Sequence, residues 1–346
     1  MALSTTSQYR KQGRVRLAVL LASLILLAVL FLGDLLTGAA GIAVSDIVRF
    51  FTGNGEATND VIIGTYRLPI AVMAVAVGSA LGLSGALMQT ILNNPLASPY
   101  TLGISAGAGF GAALAIVTTS SFLHSLGTAL TPVLAFVFAF LTCGLIYLFG
   151  RGRGMAAETM ILAGIGLSFL FGALQSLLQY IATPDQNANI VFWLFGSLTR
   201  ANMRSAVLML ILTIAALPLV ISQSWRLTAL KMGNEKARVL GVNVVALRRS
   251  VFFLVSLLTA TAVSFVGTIG FIGLAAPHIS RLLIGEDQRF FLPISASFGA
   301  NILLAASIIS KVIIPGFIFP IGIVTAIIGV PFFFWLILTN KKAYFS

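Results

Sequence analysis

The sequence predicts an all-α, polytopic membrane protein: one bundle of about ten transmembrane helices, with both termini on the inner side. Three observations predict it. Only 9% of the 346 residues are charged and 58% are hydrophobic, whereas a soluble domain carries about 25% charged residues. Several long windows lack Asp, Glu, Lys and Arg altogether, and a bilayer-spanning helix needs about 20 apolar residues. The net charge of +12 divides unevenly between alternate connecting segments. This balance excludes a disordered chain and an ordinary soluble enzyme, which needs a polar skin. The single cysteine, Cys143, excludes an internal disulfide framework.

The windows justify each span in turn. Residues 17–33 form the first. It follows Arg10, Lys11, Arg14 and Arg16, as the apolar core of a signal peptide would. Asp34 and two leucines stand where a small-residue cleavage site is needed, so the segment is read as an uncleaved span. Residues 68–150 contain no charge at all and give room for three spans. Residues 159–184 and 205–225 supply one each. Residues 250–280 hold a long span and the start of another, and residues 290–310 and 312–340 hold the last two. The segment near 270–285 is the weakest span, because Gly270, Gly273, Pro277 and Arg281 interrupt it. Between spans, residues 36–61 carry Asp46-Ile-Val-Arg49-Phe, expected as a short interfacial helix. Residues 183–203 carry Trp193 and Arg200.

Orientation follows from Lys and Arg. With the N-terminus inside, the inner segments hold 16 basic residues, including Arg151, Arg153, Lys341 and Lys342. The outer segments hold five: Arg49, Arg67, Arg200, Arg204 and Lys311. Acidic residues divide four inside and five outside, so the whole +12 belongs to the inner face. The charge is thus a record of topology rather than a nucleic-acid signal. Six of the 21 basic residues lie in one inner loop, 226–249, which is either a docking site or a topological anchor.

Glycines recur within the spans: Gly78, Gly82 and Gly85 in one helix, Gly103, Gly107 and Gly111 in the next. Small residues near four-residue spacing let helix backbones approach closely. No βαβ pattern surrounds Gly103–Gly111, which excludes a dinucleotide loop. Catalytic constellations are missing. The two histidines, His124 and His278, are far apart, and His278 after Pro277 is expected to make a structural hydrogen bond. No carboxylate lies in mid-span, where proton-coupled carriers place them. Asp34 and Glu158 sit at span ends and are expected to snorkel. With no phosphate-binding loop, any energy source comes from a partner or from an ion site of neutral groups.

Specific motifs run through the chain in order. Arg67-Leu-Pro69 opens the second span. Ser84-Gly85, Gln89, Asn94-Pro-Leu-Ala-Ser-Pro99 and Leu102-Gly103 follow. Then come Leu162-Ala-Gly164, Trp193-Leu-Phe-Gly-Ser197 and Gly233-Asn-Glu-Lys-Ala-Arg-Val-Leu-Gly241. The last are Gly270-Phe-Ile-Gly-Leu-Ala-Ala-Pro-His-Ile-Ser-Arg281, Pro293 and Pro320-Ile-Gly-Ile-Val-Thr-Ala-Ile-Ile-Gly329. Over residues 15–340 this series resembles the FecCD-type permeases, membrane subunits of binding-protein-dependent ABC importers for iron–siderophores, haem and vitamin B12.

The resemblance implies ten spans in a single permease domain covering residues 1–346. It implies a second permease subunit, identical or related, two ATPase subunits beneath the pair and an extracytoplasmic binding protein that delivers substrate. The complex would lie in the cytoplasmic membrane of a prokaryote. No cofactor is expected on this chain; ATP and Mg belong to the ATPase. The loop 226–249 would form two short helices in a groove of the ATPase. Gly233, Glu235, Ala237, Arg238, Leu240 and Gly241 would carry the coupling: Ala237 and Gly241 permit close approach, Leu240 fills an apolar pocket, and Glu235 and Arg238 sit at the rim. Asn94 and Leu96 match a cytoplasmic constriction, although Asn94 also fits as the cap of a short following helix with Pro95 in its first turn. Ala157 and Glu158 fall at the other constriction, where Glu158 departs from the family's small hydroxyl residues. Arg67 and Lys311 match basic residues that dock the binding protein. Ile70, Ser307 and Ile318 replace charged residues common near them. The resemblance implies a ferric siderophore as substrate, with haem or vitamin B12 as the alternative. A secondary transporter and an intramembrane enzyme fit the residues less well.

Overall fold

The computed structural model describes residues 2–122, 127–152, 155–314 and 316–339. His124, Arg153, Lys341 and Lys342 lie outside the described residues. Among the described residues, seven helices are long and apolar enough to cross a membrane, and three shorter apolar helices accompany them, which is the helix complement expected from the charge-free windows. The chain opens with α1 (Ala2–Leu36). Two short helices follow, α2 (Val44–Thr52) and α3 (Ala57–Val61). The first is the interfacial helix expected at Asp46, whose carboxylate accepts from the Ala43 N–H at 2.9 Å. A π-helical turn, Ile62–Arg67, leads into α4 (Leu68–Ile91) without a break.

The second span, α4, is the centre of the bundle: 83% of its apolar window is buried, against 6% for α1. It packs against α9 (Met203–Ile221), α12 (Val244–Val266), α13 (Ile272–Ile284) and α14 (Gln288–Val312). Its glycines explain how. A β-carbon on Gly78 would lie 2.5 Å from the Gly299 carbonyl oxygen, and one on Gly82 or Gly85 would strike the Ser295 or Gly273 oxygen. Lipid offers helices no hydrophobic drive to associate, so close backbone packing supplies the attraction. Gly107 and Gly111 do the same for α5 (Ile104–Phe122) against α6 (Gly127–Arg151), facing Phe138 and Leu134. Gly103 is a correction: it belongs to the turn before α5, at φ +77°, where a β-carbon would strike the Ser168 hydroxyl and the Gly164 carbonyl oxygen of α7 (Ala157–Ile181).

After α7 comes α8 (Pro184–Leu194), capped by Thr183 and Gln186 in a reciprocal box. The weakest span of the sequence is a half-helix. With 13 residues, α13 extends only about 20 Å at 1.5 Å per residue, short of the roughly 30 Å hydrocarbon core. Residues 267–271 before it are not helical. They lie against two motifs distant in sequence: a β-carbon on Gly267 would strike the Trp193 carbonyl oxygen, and one on Gly322 the Thr268 carbonyl oxygen. The Thr268 hydroxyl donates to the Leu194 carbonyl, and Ser197 N–H donates to the Val266 carbonyl at 2.7 Å. Gly322, opening α15 (Ile321–Thr339), donates to the Phe195 carbonyl at 3.0 Å. The Trp193–Ser197, Gly267–Phe271 and Pro320–Gly322 segments thus form one backbone junction, the condition under which irregular chain is tolerated at membrane depth.

Asp287 secures the opposite end of this region. It accepts from Arg16 of α1 at 2.7 Å and from Arg289 at 2.8 Å, and caps α14. The hydrogen bonds from Arg289, aided by the charge of Arg16, hold its carboxyl below the usual carboxylate range. Its contribution is complete above the unfolded value of about 3.9 and is lost as pH falls through the lower folded value. Asp287→Asn is therefore expected to cost roughly 1 kcal/mol at pH 7 and to flatten the acid limb of stability below about pH 4. Thermal unfolding in detergent against pH checks both; an unchanged acid limb in the variant contradicts the assignment.

Candidate functional site

Three groups of residues carry the functional expectations, and two of them meet at one end of the bundle. The first is the segment between α9 and α12. It folds as the expected pair of short helices, α10 (Ser224–Lys231) and α11 (Asn234–Val239). The helical span α12 begins at Val244, so the loop is shorter than 226–249, and Arg248 and Arg249 belong to the span. Gly233 (φ +104°) and Gly241 (φ +81°) bracket α11 in conformations open to glycine. Nothing lies within 4 Å of a β-carbon on either, so backbone conformation rather than close packing requires them within this chain.

The side chains of this hairpin separate into two sets. Ala237 is fully buried against the bundle. Leu240 is 55% exposed, and Val239, which sequence reasoning passed over, is 88% exposed. Met232 is exposed as well. The hairpin thus holds three apolar side chains out on a polar connecting segment. Glu235 and Arg238 pair at 3.1 Å on the exposed rim, where such a pair contributes little.

The second group is the two candidate constrictions. Asn94 accepts from the Leu96 N–H at 2.9 Å, so it caps a turn. The expected short helix after it is absent: residues 95–103 are turns and coil, and helix resumes only at Ile104. Leu96 is 41% exposed. Across the bundle end, Ala157 and Glu158 occupy the first turn of α7, with Glu158 exposed. A carboxylate there complements the positive end of the helix dipole, a structural reason for Glu158 that needs no gating role.

The hairpin and the constrictions are physically joined. Lys231, at the end of α10, donates to the Asn93 side chain at 3.2 Å and pairs with Glu286 at 3.3 Å. Arg281 of α13 also binds Glu286, at 2.7 Å, and reaches Gln89 of α4 at 2.8 Å. Sequence reasoning missed this network because its bonded members lie between 5 and 192 residues apart and carry no motif spacing.

The third group lies at the far end of the bundle. Arg67 and Lys311, expected as docking cations, are both buried. Arg67 is 6% exposed and donates to the carbonyls of Leu35, at 2.6 Å, and Ala40. Lys311 binds Asp34 at 2.7 Å. Asp34 is itself fully buried, a correction to the expectation that it snorkels. The donors of Arg67 satisfy carbonyls exposed as α1 ends, and Lys311 neutralises a carboxylate that would be costly alone. Together they fix the end of α1 against α4 and α14. His278 is buried and edge-on to Phe332, 6.4 Å between ring centres. Its Nε2 has no hydrogen-bond partner among the described residues, and no cluster there could hold a metal.

The described residues thus form a helical bundle with a half-helix and an inter-helical hairpin that carries exposed apolar residues. The chain belongs to the FecCD transport family, whose sequence pattern matches residues 25–339. Among relatives, the hemin transport system permease HmuU of Yersinia pestis is 36% identical, covering 96% of this chain and 98% of that protein. The Fe(3+)-citrate import system permease YfmE of Bacillus subtilis is 35% identical over 95% and 96%. The molybdate import system permease MolB of Haemophilus influenzae is 37% identical over 81% and 82%. A solved transporter described as metal-chelate type, in an inward-facing conformation, superposes with a TM-score of 0.83 at 33% identity, over 93% of this chain and 99% of that one. The chain is therefore a membrane permease with a transport role, of the family found in ABC importers.

Proposed function

We propose that this permease imports a ferric siderophore across the cytoplasmic membrane, driven by ATP hydrolysed on partner subunits. The observation that carries the ATP coupling is the α10–α11 hairpin, which holds Val239 and Leu240 out at the end of the bundle where the basic connecting segments gather. In this reading that end is cytoplasmic, both termini lie inside, and residues 1–346 act as one permease domain. Two ATPases bind two such subunits, with Gly233 and Gly241 shaping the hairpin, Leu240 entering an apolar pocket, and Glu235 and Arg238 at its rim. Ala237 seats the hairpin on the bundle. Asn94, Leu96, Ala157 and Glu158 form the inner constriction. ATP and Mg reside on the ATPase and no cofactor on this chain.

At the outer end a binding protein docks. Arg67 and Lys311 act there by fixing the shape of the rim, Arg67 through the Leu35 and Ala40 carbonyls and Lys311 through Asp34. Relatives named for iron chelates support the substrate class. The similarity to HmuU along nearly the whole chain favours haem as the second reading. The test supplies each candidate on its binding protein to vesicles containing the full complex. ATP-dependent uptake of a ferric siderophore well above haem and vitamin B12 is the expected result. Uptake of haem alone replaces the first reading with the second.

A further inference from the structure

Arg248 is buried to 6% exposure in the second turn of α12. None of the ion pairs among the described residues includes it. Its guanidinium instead reaches three separate segments. Nε donates to the carbonyl of Ile91, the last residue of α4, at 2.9 Å. Nη1 donates to the carbonyl of Met155, at 3.2 Å. Nη2 donates to the Asn234 side chain, the first residue of α11, at 3.1 Å. Ile91 stands three residues before Asn94, and Met155 two before Ala157. One rigid fork therefore ties the coupling hairpin to the roots of both constrictions. Lys231 adds a second tie, from the end of α10 to Asn93.

A buried cation is costly unless hydrogen-bonded. Here the C-terminal carbonyl end of α4, which carries partial negative charge, offsets part of that cost. A simple packing role would be filled more cheaply by an apolar side chain. The planar guanidinium presents its donors in fixed relative directions, so a displacement of α11 must carry Ile91 and Met155 with it or break a bond.

We propose that Arg248 is the positioning residue that transmits movement of the α10–α11 hairpin to both inner constrictions, with Asn234 as its contact on the hairpin. This rests on the ABC-importer reading. The test uses the full complex, with binding protein, in vesicles, and reads substrate imported per ATP hydrolysed. Asn234→Ala removes one contact and leaves the two backbone bonds of Arg248. It is expected to lower that ratio roughly tenfold, the factor that follows from losing one charge-assisted hydrogen bond. Asn234→Asp, which keeps the acceptor oxygen, is expected to restore it. Arg248→Lys, which keeps charge and loses the fork, is expected to fall with Asn234→Ala. A wild-type ratio in Asn234→Ala, or an equal loss in Asn234→Asp, overturns the proposal. Failure of the wild-type complex to import with ATP overturns the underlying reading instead.

Discussion

Gly78→Val is expected to destabilise the bundle by about 3 kcal/mol, the upper end for forcing extra atoms into a packed core. The β-carbon alone would lie 2.5 Å from the Gly299 carbonyl oxygen and 2.7 Å from the Ala300 α-carbon. Those are backbone atoms of α14, so no side chain can turn aside. The two helices would have to separate along a contact that also involves Gly82 and Gly299, and α4 is the element most others pack against. Gly172 on α7 has nothing within 4 Å of a β-carbon, so Gly172→Ala should leave stability unchanged or slightly raised. Thermal unfolding of both variants in detergent checks the pair. Equal behaviour would show that the glycines of α4 do not set its packing.

Leu240→Asp is expected to abolish ATP-coupled uptake and recovery of the ATPase with the permease, while leaving the chain folded. The side chain is 55% exposed, so a carboxylate there remains solvated in the isolated subunit. In an apolar pocket of a partner it would be stripped of water, and loss of such an anchor costs about 2–4 kcal/mol of association. Val239→Asp should behave alike, since Val239 is more exposed still. Ala237→Asp should differ in kind, because Ala237 is fully buried within the chain and its replacement lowers stability first. Co-purification with the ATPase and unfolding temperature, measured on all three, separate the cases. Normal recovery and uptake in Leu240→Asp would contradict the assigned surface.

The spans were legible because the bilayer acts as a severe solvent: a window such as 68–150 with no charge has no soluble alternative. The interruption at 270–285 was also visible, since Gly270, Gly273 and Pro277 disfavour a continuous helix. The existence of two short helices near 226–249 came from the motif series rather than from periodicity. Which face each residue presents did not follow from spacing. Ala237 and Leu240 are three apart in a short segment, yet one seats on the bundle and the other on solvent. Charge was least legible. Arg67, Lys311 and Arg248 all count as basic residues at span ends, but their positions depend on carbonyls and carboxylates brought near only by the fold. Asp34 and Lys311 are 277 residues apart in sequence, and Arg248 and Ile91 are 157 apart.

The central claim is that this bundle moves its substrate with energy delivered through the α10–α11 hairpin. The most direct measurement is uptake into vesicles holding the permease with its ATPase and binding protein, with ATP supplied inside and ion gradients collapsed. Uptake is expected to require ATP, to stop with vanadate and to disappear in Leu240→Asp. Uptake sustained by an ion gradient without ATP would contradict the claim.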